Sequence, residues 1–132
     1  MKKFFFSMLL LCSTIVCSAE ILKLQTTQSA YKYLNDNGYW SDWTDWESTS
    51  VLIVINTDTE RVNIYSAEPQ EYDIYDAGNE EYDSDGGATT KFQCIDKSGL
   101  RCTMRIREQL NGQLQLYIDY SNFMFVYNVY VK

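Results

Sequence analysis

From Val51 to the C-terminus, apolar and polar residues alternate with a period of two, in short runs broken by polar turn clusters. A period of two sends successive side chains to opposite faces of a strand, whereas a helix needs a period near 3.6. Helical spacing is hardly supported anywhere after Val51, so these runs must bury their apolar faces as sheet. Strands are predicted over 51–56, 60–66, 70–76, 88–96, 101–108, 113–120 and 124–131. Val62 and Ile64 alternate with Arg61, Asn63 and Tyr65. Cys102, Met104 and Ile106 alternate with Arg101, Thr103, Arg105 and Arg107, and Leu114, Leu116 and Ile118 with Gln113, Gln115, Tyr117 and Asp119. One face of each is core and the other is wet. The run Val51-Leu52-Ile53-Val54-Ile55 is apolar on both faces and is expected to lie centrally or under a covering segment.

Two turns fix the register. If Lys97-Ser98-Gly99 is a three-residue loop with Gly99 left-handed, Asp96 faces Leu100 and Cys94 faces Cys102. The same loop type at Leu110-Asn111-Gly112 sets Ile106 opposite Leu116, core side to core side. A two-residue Asn111-Gly112 turn would pair Ile106 with Tyr117 and break the alternation. Seven strands and one more from the less decided segment Glu20 to Asp36 make about eight. The expected fold is therefore all-β, a small antiparallel meander closed or partly closed into a barrel, with a two-sheet β-sandwich as the alternative. An outer-membrane barrel would need apolar residues where this chain has Arg105, Arg107, Gln115 and Asp119.

The N-terminus sets the location. Lys2 and Lys3 precede an apolar run from Phe4 to Val16, and Cys17-Ser18-Ala19 supplies small residues for cleavage. Residues 1–19 are read as a signal peptide and 20–132 as a single β domain, exported to the periplasm or the exterior. After signal removal no stretch is long and apolar enough for a transmembrane helix. Loss of Lys2 and Lys3 cuts the bases from 11 to 9 against 18 acids, a net charge of about −9. Such a field repels a phosphate backbone, so nucleic acid is excluded as a partner. A protein or a glycan is the expected partner, and a monomer the expected state.

Three groups of residues could carry chemistry. Cys94 and Cys102, facing each other in an exported hairpin, are expected to form a structural disulfide. The acids from Glu68 to Asp85, with no base among them, end in Glu81-x-Asp83-x-Asp85-Gly86, which resembles the first half of an EF-hand loop. Calcium at Glu81, Asp83 and Asp85 is one reading, although Phe92 stands where the loop's last glutamate would be. A solvated loop that guards strand edges is the other. Finally, Tyr39, Trp40, Trp43 and Trp46 either cover one end of the barrel as a plug or stand exposed as a platform for a sugar ring or a protein. The Trp spacing resembles the W-x-x-W run of thrombospondin type 1 repeats, whose six-cysteine framework is missing here.

With no histidine and no expected free thiol, serine triads, thiol proteases and histidine-ligated zinc are unavailable in their usual forms. The chain is read as a non-enzyme. Its tryptophan-rich lead-in, Asp-x-Asp-Gly loop, two-cysteine hairpin and C-terminal Tyr-Asn-Val-Tyr strand resemble small exported bacterial proteins of no assigned activity. The expected function is an exported small binding or protein-interaction module; the alternatives are an acidic inhibitor of a cationic secreted enzyme and a calcium-binding β domain.

Overall fold

The computed structural model describes residues 21–82 and 84–132, so the expected signal peptide and Asp83 lie outside the described residues. The strands are β1 (Ile21–Tyr33), β2 (Glu47–Ser48), β3 (Leu52–Asn56), β4 (Arg61–Ile64), β5 (Gln70–Tyr82), β6 (Ala88–Asp96), β7 (Arg101–Glu108), β8 (Leu114–Asp119) and β9 (Phe123–Val131). From β3 to β9 each strand pairs antiparallel with the next. The ring closes through β1, which pairs with β3 along Ile21–Gln25 and with β9 from Leu24 to Tyr33. The result is a closed eight-stranded antiparallel barrel, with β2 outside the ring, and the sandwich alternative falls away.

Bulges let a strand bend hard enough to close so small a barrel. β1 has one between Thr26 and Gln28, and β5 has irregularities between Ile74 and Asp76 and between Ala77 and Glu80. Where the chain leaves β1 for its excursion through residues 34–51, Thr26 ties the return. Its hydroxyl donates to the Thr49 carbonyl and accepts from the Val51 N–H, while its own N–H bonds the Val51 carbonyl.

Both register arguments hold. Asp96 N–H donates to the Leu100 carbonyl, Cys94 faces Cys102, and Ile106 faces Leu116. Gly99 and Gly112 sit at φ of 85° and 86°, the left-handed conformation these loops demand. The inward residues form one continuous core, with Leu24, Ile53, Ile55, Val62, Ile64, Met104, Leu116 and Ile118 fully enclosed.

Three expectations are corrected. Cys94 and Cys102 are opposite but are free, buried thiols. Asp96 and Leu100 are a hydrogen-bonded pair, so alternation makes Cys94 and Cys102, two residues further along each strand, one as well. In such pairs the α-carbons stand about 5.5 Å apart, a separation that a disulfide can span, so backbone distance does not keep the thiols apart. The Cys94 thiol turns toward the Phe92 carbonyl of its own strand instead, at 4.0 Å.

The acidic tract is not a loop, because β5 continues to Tyr82 and carries most of it as strand. Nor does it lack bases, which arrive from neighbouring strands. Arg61 reaches Asp73 at 3.1 Å and Glu71 at 3.8 Å, Lys91 reaches Glu81 at 3.5 Å, and Arg107 reaches Asp85 at 3.0 Å. The tryptophans plug nothing: Trp40, Trp43 and Trp46 are all at least partly exposed and contribute nothing to the core.

Candidate functional site

Turns and strand ends define two unlike ends of the barrel. One end gathers the start of β1, the end of β9 and the β3–β4, β5–β6 and β7–β8 connections. A cleft of about 670 Å³ opens there. Its apolar wall is Leu22, Leu24, Ile106, Leu110, Leu114 and Val129. Most of these belong to the barrel core, so the cleft is an unfilled end of the interior rather than a surface groove.

Two carboxylates share that interior. Glu108 continues the inward parity of Cys102, Met104 and Ile106; it faces Ala88 on one side and Leu114 on the other, and is only 7% exposed. Glu80 faces Thr90, which faces Ile106, so Glu80 is turned inward as well. The Tyr82 hydroxyl donates to Glu80 at 3.0 Å. Pairing separates these two from the other acids nearby, because Glu81 and Asp85 face outward to Lys91 and Arg107. Among the described residues lining the cleft there is no lysine or arginine.

The rim is formed by the two loops that touch across it. A Cβ on Gly86, at φ 93°, would come within 3.0 Å of a Leu110 methyl. Glycine therefore lets Leu110, itself 72% exposed, lie against the β5–β6 turn.

The opposite end is closed by polar groups and aromatic rings. Tyr120 donates to Asp96 at 2.8 Å, and Tyr72 donates to Gln70 at 2.6 Å. Burial pushes the Tyr72 phenol up to about 12, the Cys94 thiol up to about 12 and the Cys102 thiol up to about 11. Burial and then the bond to Asp96 raise Tyr120 further. These groups stay protonated at neutral pH, so none is a ready nucleophile.

The candidate aromatic residues lie outside the barrel. Residues 41–48 run beside the second half of β1, where β3 no longer reaches, with bonds between Tyr31 and Thr44 and between Tyr33 and Ser41. Trp43 meets Tyr117 edge to face at 6.2 Å, on the outer side where Ala30 and Val126 face one another and are buried. Lys32 lies 4.8 Å from the Trp43 ring centre and 5.5 Å from that of Trp40. Arg105 stacks 4.1 Å from Tyr117 and forms a two-point ion pair with Asp119. Trp40 and Trp43 are thus engaged in covering the wall, while Tyr39 and Trp46 remain the more open of the four.

For calcium, Glu81 and Asp85 are committed to cations on other strands and Asp83 lies outside the described residues. Among the described residues no three His, Cys, Asp or Glu side chains converge as a metal site. The carboxylates of the cleft were missed in the sequence. Glu108 was legible, since a charged residue on the core parity of β7 is an anomaly; Glu80 was not, because the strand that carries it was expected to stop at residue 76. No protein-family model, curated protein or solved structure matches this chain.

Proposed function

We propose that the chain is an exported binding module that takes a small, largely apolar ligand into the open end of its barrel. The observation that carries this reading is the cleft: about 670 Å³, apolar-walled and backed by the closed core. Pockets of this size and lining hold small molecules, and an eight-stranded barrel has room for one. The buried, protonated thiols and phenols favour binding over nucleophilic chemistry.

N-phenyl-1-naphthylamine, a neutral dye that brightens in apolar surroundings, is the probe. Its fluorescence is expected to rise with the folded protein, to fall with Leu114→Trp, which fills the mouth, and to survive Trp46→Ala. No enhancement, or enhancement indifferent to Leu114→Trp, overturns the reading; loss with Trp46→Ala moves binding to the aromatic surface.

A further inference from the structure

We infer that the second half of β5 is an open strand edge that takes an extended, basic peptide segment of another protein as an added strand. β4 pairs with β5 only from Gln70 to Asp73, and Ile74 makes the last main-chain bond to that side, donating to the Glu60 carbonyl at 2.8 Å. β5 then runs on to Tyr82 with β6 along one side and, among the described residues, no strand along the other. Tyr75, Asp76, Ala77 and Gly78 are all exposed. At Ala77 and Gly78, with one methyl and no side chain, that exposure is largely of main chain. Phe92, two residues from Cys94 in an unbroken register, directs its peptide groups to β7 as Cys94 does, so Ala77 opposite it aims its own away from β6 and at the open side. Unpaired N–H and C=O groups along a strand are a template for a further strand.

Charge selects the strand. Asp76 lies in this stretch, and exposed Asp58 and Glu60 belong to the β3–β4 turn that adjoins it where β4 ends. Among the described residues none of the three has a basic partner, whereas Glu71 and Asp73 are answered by Arg61 and Glu81 by Lys91. Unmatched negative charge therefore collects where the main chain is unpaired. A second copy of this edge would set Asp76 against like charges, which opposes pairing. Lysine or arginine at alternate positions of a partner strand would share one face and meet these acids.

Fluorescence anisotropy with a fluorescein-labelled, alternating Lys-Thr decapeptide in about 50 mM salt tests this. The peptide is expected to bind the folded protein and the matching Glu-Thr peptide to give no signal. N-methylation of every backbone amide keeps the charge and removes the donors, and should weaken binding about tenfold. Asp76→Lys should weaken the Lys-Thr peptide by about the same factor, while Asp45→Lys, the same charge change at an exposed position beside β1, should leave it intact. Ala77→Pro removes the N–H aimed at the open side and should weaken binding too; Asp76→Lys, at an exposed side chain, serves should the proline disturb the strand. Equal binding of the N-methylated peptide, or an equal loss with Asp45→Lys, reduces the effect to net charge and overturns the added strand. Failure of the Lys-Thr peptide to bind, or self-association in sedimentation that Ala77→Pro abolishes, overturns the basic partner.

Discussion

Cys94 and Cys102 show how far one residue's environment governs its chemistry. Both thiols are enclosed by core side chains, and desolvation holds them at about 12 and about 11. The reactive form is the thiolate, so a folded chain beginning at Glu20 should resist iodoacetamide at mildly alkaline pH. Unfolding without reductant should let two groups add, as read by intact mass; an unfolded chain that accepts none would establish a disulfide. Asp96 makes the complementary case. Burial pushes its carboxyl up, but the Tyr120 hydroxyl and the N–H groups of Leu100, Ser98 and Gly99 outweigh this and hold it below the usual aspartate range. A depressed folded value contributes stability above the unfolded pKa, near 3.9, that is lost as pH falls through the folded value. Asp96→Asn should therefore lower Tm at neutral pH, with the gap to the parent narrowing below about pH 4. A gap constant into strong acid would remove the charge from the explanation.

At the scale of elements, the hairpins were the legible part. Gly99 lies at φ 85° with nothing within 4 Å of where a Cβ would stand, so Gly99→Ala meets no clash and carries only the cost of a left-handed backbone. That cost is about 1–2 kcal/mol, to be read as a lower denaturant midpoint, and Gly99→Asn should lose less. Equal losses would mean that contacts rather than conformation fix the turn. The long strands were less legible. β5 was expected to stop at residue 76 because Asp76 and the acids after it read as loop, yet it runs to Tyr82 past two irregularities. Each such irregularity shifts the parity of the residues after it, so the two together restore the parity of Tyr72 and Ile74, and Glu80 faces the cleft while Glu81 faces Lys91.

For the whole molecule, period-two alternation and turn chemistry determined an all-β meander, its strand register from β6 to β8 and the inward face of most strands. These are local properties, set by which side chains share a face and which residues accept a left-handed turn. Closure was decided only in three dimensions, because it depends on β1 pairing with β3 by its first half and with β9 by most of its length, a contact between the two ends of the described chain. The partners of the acidic tract were decided there too, since Arg61, Lys91 and Arg107 come from strands that the sequence separates from their acids. The facing of Cys94 and Cys102 was written in the turn, but whether they bond depends on which way the sulfurs turn. The cleft likewise exists only because the closed ring leaves one end unfilled while polar and aromatic side chains occupy the other. Alternation along the chain sets which side chains face inward; only the geometry of closure determines where that interior remains open.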